Sequence, residues 1–152
     1  MANTRARPAT RFVFISDGAG RAGGLGPDPT NRFVWRLIAA NNRPLGRSVE
    51  ALTSFEECLA SARRVHGGAR DAAGLVYFDA WRRHWTWSVT LDGSRAAACV
   101  HPYPRRFECV RGLEQFLSAA EVATPDEASM RQLRRRSLPG DEPDAVVNEA
   151  RE

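Results

Sequence analysis

One segment of this 152-residue chain can be laid over another without a gap. With Phe33-Val34-Trp35 set on Trp85-Thr86-Trp87, an offset of 52 positions, Arg43 falls on Arg95 and Phe55-Glu56 on Phe107-Glu108. Upstream, Phe12-Val13-Phe14-Ile15 matches Leu75-Val76-Tyr77-Phe78 at an offset of 63, the difference being a longer first loop. This self-similarity constrains the fold more than any other feature. A unit of about 50 residues has too little apolar surface to be stable alone and must bury it against its copy. The repeat predicts one domain of two units, 11–68 and 74–123. A flexible N-terminus (1–10) precedes it and a largely disordered tail (124–152) follows, in which Met130 to Leu138 reads as a transient helix.

Periodicity assigns the elements. Trp85, Trp87, Val89 and Leu91 alternate with Thr86, Ser88 and Thr90, the pattern of a half-buried strand, and Phe33, Trp35 and Leu37 repeat it. The apolar runs 12–15 and 75–78 read as the strands before these. Asn41-Asn42 and Asp92-Gly93 mark tight turns, each followed by a weaker strand near 45–49 and 96–101. A helix then begins, capped by Thr53 or Ser54 and carrying Glu56 and Glu57 in its first turn. Phe55, Cys58, Leu59, Ala62 and Val65 form its buried stripe, and Gly67-Gly68 ends it. In the second unit Phe107, Val110, Leu113 or Glu114, and Leu117 are the corresponding stripe. The fold class is α+β: two tandem β-β-β-α repeats sharing an antiparallel sheet, with two helices packed on one face.

Trp35-Arg36-Leu37, then Ala39-Ala40-Asn41-Asn42, Ser48, and Thr53-Ser54-Phe55 running into Cys58 and Ala62 resemble the YegP-like repeat domains. In the second unit Trp87-Ser88-Val89 and Asp92-Gly93 keep the skeleton of that pattern. Asn42 stands where the family has a turn glycine, and no lysine follows Ser54. The resemblance implies tandem β3-α units in one antiparallel sheet with strand exchange between units. It implies no activity.

Composition narrows the chemistry. All 22 basic side chains are arginine, which removes Schiff-base lysine chemistry and the P-loop lysine together. Net charge is +4, with 17 Arg against 11 acids before Thr124 and five Arg against seven acids from there on. Three cysteines, Cys58, Cys99 and Cys109, with no apolar segment following the N-terminal arginines, fit reduced thiols in a cytoplasm. No run of residues is apolar enough for a membrane span. Cys99 and His101 would share one face if their segment is a strand, but two ligands do not make a metal site.

Several segments could hold function. Gly18-Ala19-Gly20-Arg21-Ala22-Gly23 spells a dinucleotide motif, yet Pro27 and Pro29 follow where its helix belongs, so it reads as an irregular hairpin loop. Trp81-Arg82-Arg83 lies at a turn, and with Arg105-Arg106 it is the candidate polyanion contact, arginine interleaved with aromatics being able to stack bases and bind phosphates. On the sheet face turned away from the helices, Val34, Arg36 and Ile38, extended by Val13 and Ile15, form the candidate association surface. A second protomer, a partner protein, or the tail around Met130 to Leu138 would cover it. His66, His84 and His101 have no partner at catalytic spacing. The expectation is a non-enzymatic association module, with no catalytic residues, cofactor or metal, that forms a homodimer or binds a protein partner. Nucleic-acid or polyanion binding is the alternative.

Overall fold

The structure, a computed structural model, describes residues 9–17 and 32–137. The glycine-rich loop, most of the N-terminal segment and the last part of the tail fall outside the described residues. The elements are β1 (Arg11–Asp17), β2 (Arg32–Ile38), β3 (Pro44–Ser48), α1 (Phe55–Gly68), β4 (Ala73–Asp79), β5 (His84–Leu91), β6 (Ser94–Ala98), α2 (Arg106–Val122), β7 (Thr124–Pro125) and α3 (Glu127–Ser137). The order strand, strand, strand, helix thus occurs twice, and a short strand and a third helix follow it. The sheet runs β4-β5-β6-β3-β2-β1-β7. All its pairings are antiparallel except β1 with β7, so it is mixed rather than purely antiparallel.

Each strand triplet stays contiguous and the two meet where β3 pairs with β6, so the described strands show no exchange between units. The turns are those the sequence selects. Asp92 and Gly93 both take positive φ, which closes the β5–β6 hairpin, and Asn42 adopts φ 68 at the equivalent corner, where its short polar side chain replaces glycine.

Alternation holds on the inner face. Trp35, Leu37, Trp87, Val89 and Phe12 are fully buried, and Phe14 and Phe33 are buried beside them. Phe116 of α2 sits between the two tryptophans, with ring centroids 6.4 Å from Trp35 and 4.8 Å from Trp87. The Trp35 indole N–H donates to Ser61 Oγ at 2.9 Å. In α1 the expected stripe is the observed one: Phe55, Cys58, Leu59, Ala62 and Val65 are all buried. Ser54 caps the helix through the Glu57 amide, and the Glu57 carboxylate reaches back to the Thr53 amide and hydroxyl, so both ends of the first turn are satisfied.

Three expectations are corrected. Gly67-Gly68 does not stop α1, which runs through both and tightens into a 3-10 turn at Ala69–Asp71. Gly68 is there because Leu91 lies against it: a Cβ would come within 2.8 Å of the leucine. Phe107 is 54% exposed, and the buried stripe of α2 is Cys109, Gly112, Leu113, Phe116 and Ala120. The reason lies upstream. Phe33 bridges to Leu52 and Trp85 to Tyr103, spans of nineteen and eighteen positions. The second unit is therefore one residue shorter before its helix, and a one-residue slip rotates a helix by about 100°. An ungapped overlay sets Phe107 on Phe55; with the gap, Cys109 corresponds to Cys58.

The third correction concerns residues 124–137 alone, since 138–152 lie outside the described residues. Thr124 and Pro125 extend the sheet beside β1, and Asp126 caps α3 by accepting from the Ser129 amide at 3.0 Å. Leu133 is buried in the core and the Arg134 guanidinium lies 5.7 Å from the centre of the Phe55 ring. The transient helix read over Met130 to Leu138 is a docked one over Glu127–Ser137, held by a narrow apolar stripe led by Met130 and Leu133. It packs beside the core at the β1 edge and does not cover the outer face, which removes it as the cover for Val34 and Ile38.

Candidate functional site

Exposed apolar side chains identify one region of the surface. Among the described residues the large exposed hydrophobics are Leu75, Tyr77, Phe78, Trp81, Phe107 and Val122. All but Val122 lie on β4, on the β4–β5 turn, or at the start of α2.

The turn is rigidly built. The Asp79 carboxylate accepts from the Trp81 and Arg82 amides, both at 3.1 Å, and the Asp79 carbonyl accepts from the Arg83 amide at 2.7 Å. Arg83 takes φ 60 to complete the reversal. This use of aspartate to organise its own turn holds Trp81 with its side chain 94% exposed. Phe78, near the end of β4, is edge-on to Trp85 at 5.4 Å.

Trp85 exchanges backbone hydrogen bonds with Tyr103, at 2.8 and 3.0 Å, which lays the segment leading to α2 beside the strand leaving the turn. Arg105 is the residue before α2 and provides no side-chain cap, and Arg106 and Phe107 follow in the first turn. The fold thus gathers the five proposed polyanion contacts, Trp81, Arg82, Arg83, Arg105 and Arg106, at one end of the sheet. All five are exposed, and among the described residues none of the four arginines is in a salt bridge.

The proposed association residues lie elsewhere. Val34, Arg36 and Ile38 are on β2, separated from β4 by three strands. One register row crosses the outer face as Leu75, Ser88, Ala98, Arg47, Arg36 and Val13. Arg36 is exposed, whereas Val34 and Ile38 are half-buried, as are Val13 and Ile15. Two arginines, Arg36 and Arg47, are adjacent in that row, so this part of the outer face is more polar than β2 alone suggests.

Sequence reasoning does not single out Leu75, Tyr77, Phe78 or Phe107 as surface residues. A signal is present for β4: Ala73 to Phe78 contains no charged or strongly polar residue, so there is no polar face to turn toward water.

Chemistry elsewhere is subdued. Burial pushes the Cys58 thiol up to about 12 and the Cys109 thiol up to about 11, so neither is a thiolate near neutral pH. Cys99 is buried with its sulfur 2.9 Å from Thr86 Oγ1. An apolar cleft of about 270 Å³ between α1 and β7 is lined by His66 but by no carboxylate, and His66 Nδ1 lies 2.9 Å from the Ala120 carbonyl. Among the described residues no three metal-ligating side chains cluster, and no helix is long and apolar enough to cross a membrane.

Comparison with solved structures settles the fold. YegP from E. coli, a protein of unknown function, superposes with a TM-score of 0.54 at 13% identity, covering 65% of this chain and 84% of its own. A UPF0339 protein from Shewanella oneidensis gives 0.55 at 9% identity, covering 76% and 90%. The fold is YegP-like. No protein-family model and no curated protein matches the sequence. The YegP-like fold accounts for the sheet and its helices and leaves the exposed hairpin end to be explained by this chain's own residues.

Proposed function

We propose that this chain is a non-enzymatic association module whose contact surface is the β4–β5 hairpin and the start of α2. The observation that carries this reading is the grouping of Leu75, Tyr77, Phe78, Trp81 and Phe107, all exposed, on adjoining elements. Large apolar side chains left exposed on both faces of one sheet edge and on the turn beside it favour a contact there. Aromatic anchors beside arginines are the composition of interface centres. Val34, Arg36 and Ile38 become, on this reading, a secondary surface. A photo-reactive phenylalanine analogue placed at Trp81 should give a discrete cross-linked species in cells, and the same group at the exposed Glu56 should give none. Equal labelling at both positions would refute it.

A second reading is favoured by the unpaired arginines. Trp81 with Arg82, Arg83, Arg105 and Arg106 presents an indole for stacking and four guanidinium groups for phosphates, the requirements for a single-stranded polyanion. A single-stranded oligonucleotide should then quench tryptophan fluorescence in wild type and much less in Trp81→Ala, with affinity falling steeply as salt rises. No response at low salt excludes this reading.

A further inference from the structure

The chain treats the two edges of its sheet differently. At the β1 edge, the Thr10 carbonyl accepts from Thr124, the Phe12 carbonyl from Asp126, and the Phe14 amide donates to Ser129 Oγ. A strand, a proline and a helix close that edge. At the other edge nothing lies beside β4 among the described residues.

The ladder tells which groups are left open. Trp85 and Trp87 direct their backbone groups toward Tyr103 and Cys99, away from β4. Because these groups alternate along a strand, Thr86 and Ser88 bond to β4, and their partners there are Tyr77 and Leu75. Gly74, Val76 and Phe78 therefore turn their N–H and C=O groups outward. An edge of seven residues, free of proline and, until Asp79, of charge, lacks the devices that keep strands from pairing.

We infer that β4 is a self-pairing edge, and that two copies of this chain join antiparallel through it about a two-fold axis at Val76. This rests on the hairpin being the association surface and commits it to one occupant. The argument for a second copy is self-complementarity. Centring on Val76 sets Val76 against itself and Gly74 against Phe78, so every outward backbone group of the three finds a partner. Leu75, 58% exposed, then faces Tyr77 of the second copy on the outer face. On the inner face the half-exposed Phe78 ring covers Gly74, where Leu113 already excludes any side chain. An aromatic ring over an edge glycine is a recognised stabilising pair. Asp79 meets Ala73, so no like charges oppose. The exposed Asp71, just before one β4, comes alongside the Arg82 and Arg83 turn that ends the other. Isologous pairing of this kind also closes both edges at once, leaving no open ladder for a third chain.

Sedimentation equilibrium on the whole chain tests it with two variants whose changes lie on the exposed outer face, their folding checked by circular dichroism. Wild type should be a dimer. L75K/Y77K sets ammonium groups opposite each other across the axis and should be a monomer. L75K/Y77E sets ammonium opposite carboxylate and should dimerise again. A wild type that is monomeric at its highest soluble concentration overturns self-pairing, while cross-linking at position 81 would still report a different partner. A dimeric L75K/Y77K overturns β4 as the interface, and an L75K/Y77E variant no more associated than L75K/Y77K overturns the Val76-centred register.

Discussion

Phe116 lies so close on Gly46 that a methyl group at position 46 would overlap its ring, with Trp87 Cη2 only 3.0 Å away. This contact joins the two strand triplets through one helix, since Gly46 is on β3, Trp87 on β5 and Phe116 on α2. Gly46→Ala must push Phe116 out of its place between the tryptophans. The expected cost is about 1–3 kcal/mol, the usual range for overpacking a core, read by chemical denaturation. A variant as stable as wild type would mean that Phe116 can move aside freely and that the contact does not hold the triplets together.

The third helix provides a separate test. Leu133 is buried at 3% exposure on a segment whose composition suggests only a transient helix. Leu133→Ala should cost about 2–5 kcal/mol, as for other buried leucines. A tail that does not dock would make the substitution silent in the same denaturation experiment.

Stability should decline at alkaline pH for a definite reason. The folded Cys58 and Cys109 thiols titrate at about 12 and about 11, above the ordinary value of 9.0. Unfolded chains then release thiol protons that folded chains keep, so the stabilisation is complete below pH 9 and is lost as pH rises through the folded values. A thiol reagent at pH 8 should leave both unmodified until denaturant is added. Rapid labelling of the native protein would contradict their burial.

Much of this fold is legible in the sequence because its signals are local. Alternating Trp85, Trp87 and Val89, the Asp92-Gly93 turn and the Ser54-capped stripe of α1 each follow from neighbouring residues. What is not legible depends on register or on tertiary contact. Phe107 takes a different face from Phe55 because one residue is missing upstream, and helical periodicity turns a single position into a change of face. Gly68 looks like a terminator, but its role is to admit Leu91 from another element. The hairpin arginines and Trp81 stand out in the sequence. Their meeting with Arg105 and Arg106 does not, since it depends on the Trp85–Tyr103 bridge.

The claim that the β4 hairpin is the contact surface is tested most directly by amide hydrogen exchange along β4 as a function of protein concentration. The amides of Leu75 and Tyr77 point to β5 and should be protected at every concentration. Those of Gly74, Val76 and Phe78 point outward and should exchange freely when dilute and become protected as concentration rises. If these three amides exchange at the same fast rate throughout, the β4 edge does not pair with a second copy.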